Sequence, residues 1–417
     1  MSEERTSIVI LTGFYPELTG RVTQNFLQQH SDCVVINHDL RNLAEGVVVR
    51  RIHHDGRTVT KILELAHGCI SCTVRQDLLP LLHRMAAVSI PRIVIAGDQV
   101  LEPEPLCWAA EHVVLGEHTL TDLADIEAVI VVVDADRWFA DVTSDQELAE
   151  RGLAAGIDDE RTVAQVVIAQ VEFADVVLRD HGNTESPSFQ QLEAVLRRLA
   201  PRAMRRGLAD FNVDAVLAAI PAGARRGEPS DPHTPLLQGE PPLRPACGIT
   251  LATFSQHRPF HPQRLHDSLD LLLDDLVIRA KGRAWLVNQP DVVMWLESAG
   301  GGLQIGHAGT WLAALNPADA ARVAGTRWAN ASLNWDPYYG DRAQELTILA
   351  DEVAAERVIA ALHEALLTDE ELAAGEAAWR EYPDPFGSWH TEPCDNQPEL
   401  DRAAGAHRGT DNSEERS

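Results

Sequence analysis

The sequence predicts an α/β fold: a mostly parallel sheet flanked by helices, followed by a smaller α+β domain. Two observations carry this. Over the first 200 residues, short runs that are apolar at every position alternate with amphipathic stretches. Continuous apolar runs belong to strands buried on both faces, which is the situation in a parallel sheet covered by helices. The texture then changes between Pro201 and Pro245, where Pro, Gly and Arg accumulate, and a new alternation of strands and helices follows. At 417 residues the chain exceeds one ordinary core, so two domains are expected. The boundaries read as 1–200 for the first domain, 201–245 for a linker or ordered crossing, 246–370 for the second domain and 371–417 for a partly disordered polar tail.

In the first domain the strand candidates are Ile8–Leu11, Cys33–Ile36, Ile93–Ala96, Ala128–Val133 and, closing the series, Val176–Leu178. Helical stretches lie between them at Arg75–Met85, Val163–Gln170 and Gln190–Leu199. The second domain reads as a strand at Ile249–Ser255, a helix at His261–Leu273, strands at Val277–Val287, Val292–Glu297 and Glu345–Leu349, and a helix at Val353–Leu367. Asp55-Gly56 is a hairpin-turn signal that places the neighbouring His53-His54 pair on the surface. Gly300-Gly301-Gly302 follows a strand and reads as a turn. Trp285, Trp295, Trp311, Trp328 and Trp335 concentrate in the second domain, mostly as core, with a few able to anchor a partner.

Lys and Arg total 35 against 63 Asp and Glu, a formal net charge of −28. That field repels phosphate backbones, which argues against non-specific nucleic-acid binding. It suits a basic protein partner, although most of the charge serves solubility. Ile8–Leu11 is too short for an export signal and leads into a glycine turn, and no run reaches the ~18 apolar residues of a membrane span. A cytoplasmic protein is expected. The six cysteines make no disulfide framework; only Cys69 and Cys72 stand close together, which in a reducing compartment suggests metal or redox chemistry. No Ser-His-Asp arrangement is evident and no catalytic residue is assigned.

A phosphate loop belongs where a strand meets a glycine turn and a helix, because backbone N–H groups, a lysine and a magnesium-holding Ser/Thr converge there. The corresponding segment runs from Leu11 to Thr23 and supplies Gly13, Gly20, Arg21 and Thr23 as candidate nucleotide-binding residues. Its glycines are six residues apart instead of four, Arg21 replaces the lysine and Val22 the Ser/Thr, with Thr23 one position late. Pro16 removes an N–H donor and Glu17 places negative charge near the phosphates. A plain strand–helix connection explains the segment equally well.

The next block is more specific. Glu64-Leu65-Ala66-His67-Gly68-Cys69-Ile70-Ser71-Cys72-Thr73-Val74-Arg75 closely resembles the Gly-Cys-x-Cys-Cys signature of the CobW-type P-loop GTPase and metallochaperone family. Leu101–Leu106, Val131–Ala135, Gln170–Asp175, Arg258–Leu265 and Arg279–Gly282 are similar to further blocks of that family in the same order, over residues 6–370. The resemblance implies a P-loop NTPase-like first domain, a CobW C-terminal domain, GTP with magnesium, and zinc. Three nucleotide elements depart from the pattern: the loop above, the Walker-B-side segment, whose glutamate falls near Ala96 and glycine near Gln99, and the guanine-reading motif, replaced by Arg179-Asp180-His181-Gly182-Asn183. These departures argue against efficient hydrolysis. His67–Thr73, Asp231–Leu237, Val293–Gly302 and Asp384–His390 resemble an actinobacterial branch of the family implicated in recruiting a ribosome hibernation factor under zinc limitation. That resemblance implies a zinc-responsive adaptor with the hibernation factor and the ribosome as partners; a GTP-dependent zinc metallochaperone is the alternative.

Zinc takes four ligands from thiolate, imidazole and carboxylate, and Cys-x-x-Cys lets two thiolates bite one ion. Cys69 and Cys72 keep the outer positions of the family motif, Ser71 replaces its middle cysteine, and His67 is the expected third donor. Glu64, His53, His54 and Asp39 are further candidates. A redox dithiol or an inert pair competes with this reading, and the clustering within a family metal motif favours metal.

Overall fold

The computed structural model describes residues 5–387 except 66–67, 89, 157 and 181–183. The first domain is built on an eight-stranded sheet of β1 (Thr6–Thr12), β2 (Val34–Asp39), β3 (Val47–His54), β4 (Arg57–Glu64), β5 (Arg92–Ala96), β6 (Ala124–Val133), β7 (Val176–Arg179) and β8 (Met204–Gly207). Their spatial order is β4-β3-β2-β5-β1-β6-β7-β8. Six strands pair in parallel, and β3 and β4 add an antiparallel hairpin at one edge. The central strands are buried along their length, as Ile8–Leu11 and Ala128–Val133 illustrate. Helices such as Pro16–Gln29, Val163–Glu172 and Pro187–Leu199 cover them.

The hairpin forms at the turn signal: Asp55 and Gly56 both have positive φ, 48° and 67°, as a tight hairpin turn with right-handed twist requires. Its strands were absent from the sequence reading because β4 is exposed at nearly every position and shows no buried apolar run. The series also continues past Val176–Leu178. β8 pairs with β7 although it reads Met-Arg-Arg-Gly; an edge strand can carry charge on its open side. The first domain therefore runs beyond residue 200. The expected 201–245 linker holds β8 and the helix Val213–Ala218 before it becomes an ordered irregular crossing.

The second domain is a five-stranded antiparallel sheet of β9 (Ile249–Gln256), β10 (Val277–Ala284), β11 (Val292–Ala299), β12 (Gly302–Thr310) and β13 (Gln344–Asp351), ordered β12-β11-β10-β13-β9. One face packs on the helices Pro262–Ser268 and Glu352–Ala365 through Ala280, Met294, Leu296, Leu346, Ile348, Val358 and Leu362. Strand β12 was not foreseen: three of its nine residues are glycine, and glycine weakens a strand signal. The polar tail expected from residue 371 is in part ordered. Trp379 is buried against Val287 and Leu367, and within this tail the description runs to residue 387. Among the described residues, no helix is long and apolar enough to cross a membrane.

Candidate metal and nucleotide site

The cysteine motif opens a helical run that spans Ile70–Thr73, a π-turn at Val74–Leu78 and Leu79–Ala87. Cys69 is its N-cap, in extended conformation, and its Sγ accepts the backbone N–H of Cys72 at 3.1 Å. Both thiols therefore sit in the first turn of a helical run. Gly68 lets the loop reach this position. A Cβ there would lie 2.0 Å from the carbonyl oxygen of Leu43, so no other residue allows the loop to pack so closely on the Leu43–Glu45 turn.

One turn beyond Cys72 the helix is tied to the sheet. Asp77 accepts from His38 Nε2 at 2.8 Å and from Arg50 at 2.6 Å, with all three side chains nearly buried. Burial pushes the Asp77 carboxyl up, but the His38 and Arg50 hydrogen bonds outweigh it and hold the pKa below the usual range. The sequence reading missed this anchor; its only trace was an acid one turn past the second cysteine.

Two thiols within one helical turn, both half-exposed, fit a soft ion such as zinc. Among the described residues no third His, Cys, Asp or Glu joins them in a metal-holding group. His67 lies outside the described residues. The other candidates are engaged elsewhere: His53 with Thr58, His54 with the Cys33 carbonyl, and Asp39 with Arg41 and Arg51, which hold its pKa at about 2. Glu64 is exposed at the end of β4.

The phosphate end has a different construction. Only Gly13, Phe14 and Tyr15 separate β1 from the helix Pro16–Gln29, too few residues to curl around a phosphate. Gly13 packs on β6, where a Cβ would lie 2.5 Å from the Val132 carbonyl oxygen. Phe14 and Tyr15 are buried, and the Tyr15 hydroxyl donates to Asp141 at 2.6 Å. Arg137 lies over the Tyr15 ring at 4.5 Å and pairs with Glu17 and Asp134. Gly20, Arg21 and Thr23 fall inside the helix and do not converge with Gly13 on one loop. Arg21 reaches Asp180 at 3.1 Å, and the Thr23 hydroxyl bonds back to the Thr19 carbonyl. Val22, in the place of a magnesium ligand, is core. Carboxylates thus crowd a helix end that offers no lysine and no loop of N–H groups, and these groups do not fit a magnesium-bound nucleotide.

Between the domains lies a cavity of about 1370 Å³, lined by Cys69 and Ser71 of the first domain and by Trp295 and Glu297 of β11.

Residues 23–205 match the CobW/HypB/UreG nucleotide-binding domain and residues 249–366 the cobalamin synthesis protein CobW C-terminal domain. The zinc chaperone Rv0106 of Mycobacterium tuberculosis is 41% identical over 421 residues, covering 98% of this chain and 100% of that one. The chain belongs to the CobW family. The zinc-regulated GTPase metalloprotein activator 1 of Dictyostelium discoideum is 26% identical over 368 residues, covering 85% of this chain and 77% of its own. A Zn(II)-bound YjiA GTPase of E. coli superposes with a TM-score of 0.37 at 13% identity, over 87% of this chain and 99% of that one. The match to the CobW nucleotide-binding domain begins at Thr23, so the segment Gly13–Val22 lies outside it.

Proposed function

We propose that this CobW-family chain is a zinc metallochaperone that carries zinc as cargo on Cys69 and Cys72, with His67 as the third donor. The observation that carries the reading is the thiol pair at a helix N-terminus, held by the Asp77 anchor, with Cys69 lining the interdomain cavity. The names of the zinc chaperone and the zinc-regulated activator that this chain resembles support it. Two sulfurs within one helical turn can bind one ion together, and half-exposure lets the ion leave. Competition titration against a chromophoric zinc chelator tests this. One equivalent of zinc is expected, lost in the Cys69→Ala/Cys72→Ala double variant. Undiminished binding by that variant overturns the reading.

A second reading is favoured by the closed phosphate end: an adaptor without GTP turnover that responds to zinc and recruits a basic partner, a ribosome hibernation factor at the ribosome. The net charge of −28 supports a basic partner. Fluorescent GTP titration with magnesium, with and without zinc, separates it from the GTP-dependent form of the first reading. Saturable, GTP-preferring binding with turnover supports the metallochaperone cycle. No binding up to millimolar nucleotide supports the adaptor, whose partner is then sought by affinity capture from zinc-starved cells; no enrichment of ribosome or hibernation factor over a control defeats it.

A further inference from the structure

The sheet of the second domain has one face packed on helices and one that is polar. From Arg279 onward the residues of β10 alternate: Ala280 and Ala284 are buried in the helix-side core, while Arg279 and Lys281 line the interdomain cavity. Trp295 and Glu297 on β11 and Gln304 and Gly306 on β12 continue that lining. The register sets Lys281 beside Glu297 and Glu297 beside Gln304, with Trp295 beside Gly306. The floor is therefore a set of paired charges with one aromatic. Arg279 bonds Glu172 at 2.9 Å and Glu297 at 2.6 Å, and Lys281 bonds Glu172 at 2.9 Å. Among the described residues, strand β12 is the outer strand of its sheet and pairs only with β11. Cys69 lines the same cavity.

We propose that this cavity docks the polypeptide segment that exchanges zinc with the chain: an extended, thiol- and imidazole-bearing stretch of a client, laid on the polar sheet face and along the β12 edge. Three features select this occupant. The volume of about 1370 Å³ exceeds the few hundred to ~1,000 Å³ of small-molecule sites. A strand edge offers backbone donors and acceptors that an extended chain uses and a compact ligand does not. The Cys69 thiol lines the same cavity, so the client's ligands and the cargo share one space. The inference rests on the zinc-carrier reading.

Gly306 provides the test, because a Cβ there meets nothing within 4 Å, so a large side chain fills the cavity without displacing the fold. The probe is a fluorescein-labelled, metal-free zinc-finger peptide of the two-cysteine, two-histidine type, which is unfolded without metal. Its binding to the full chain is followed by anisotropy, and zinc transfer to it is compared with transfer to a small chromophoric chelator. Gly306→Trp is expected to weaken peptide binding and slow transfer to the peptide at least tenfold. Transfer to the small chelator stays within twofold, and Gly306→Ala behaves as wild type. If Gly306→Trp lowers the melting temperature, Gln304→Trp on the same face replaces it. Peptide binding that is absent in the wild-type chain, or equal in wild type and the filled variants, overturns the docking proposal. Zinc stoichiometry on the same samples keeps the two readings apart: a wild-type chain that binds no zinc fails the carrier reading itself.

Discussion

A single carboxylate decides whether the cysteine helix is fixed or loose. Asp77 sits between His38 of β2 and Arg50 of β3, with side-chain exposures of 8–12% for the three groups. Removing the charge leaves Arg50 nearly buried without its partner, and breaking a buried pair from one side costs about 3 kcal/mol or more. Asp77→Asn is therefore expected to lower stability in urea by roughly 3 kcal/mol. It should also weaken zinc binding, since an ill-anchored helix no longer holds Cys69 and Cys72 in one geometry. A loss below about 1 kcal/mol with unchanged zinc affinity would show that the anchor is dispensable. The residue also marks the limit of what sequence discloses. Cys69 and Cys72 were legible because their spacing is itself the chemistry. Asp77 was not, because its partners come from strands 27 and 39 positions away. Tyr15 and Asp141, 126 positions apart, stayed hidden for the same reason.

At the scale of elements, the turn between β11 and β12 works as a key between domains. A Cβ on Gly300 would lie 2.2 Å from the Ser144 carbonyl oxygen, one on Gly301 2.8 Å from Asp145, and one on Gly302 2.5 Å from Gln165. Three consecutive glycines let the hairpin tip press against the first domain, where the Thr162 hydroxyl also donates to the Ala299 carbonyl at 3.3 Å. Gly300, with φ of 54°, is strained by any side chain as well. Gly300→Ala is expected to cost about 1–3 kcal/mol and to split a single denaturation transition into two, one per domain. Gly306→Ala in open space changes neither. Coincident transitions in Gly300→Ala, probed by tryptophan fluorescence and far-UV circular dichroism, would show that the tip does not hold the domains together. The sequence reads these glycines as a turn; Gly300 and Gly301 form it, and Gly302 opens β12. Their packing role stayed hidden because it depends on a surface more than 130 positions away. The apolar strands and long helices were legible for the opposite reason: their signal is local periodicity. The exposed hairpin, β8 and β12, with charged or glycine-rich sequences, carry little of it.

At the scale of the whole molecule, the helix Val163–Glu172 is one carrier of the contact between domains. The start of Val163–Glu172 lies under the glycine tip. Its Gln170 amide donates to the carbonyls of Gln99 and Leu101 at 2.9 and 3.1 Å, holding the loop after β5. Glu172 at its end bonds Arg279 and Lys281 of the second domain. Burial pushes the Glu172 carboxyl up, but the two cations outweigh it and bring its pKa from 4.5 down to about 2. A folded-state pKa below the unfolded value means that the ionised form stabilises the fold. That stabilisation is complete above pH 4.5 and is lost as the pH falls through about 2. At ~1.4 kcal/mol per unit it is on the order of 3 kcal/mol at neutral pH. Glu172→Gln removes it at every pH. The melting temperature of the variant should therefore lie well below wild type at pH 7, with the gap closing steadily between pH 4.5 and 2. Calorimetry of both chains across that range checks the expectation. A gap that persists undiminished to the acid limit would assign the loss to packing and remove Glu172 from the electrostatic contact between the domains.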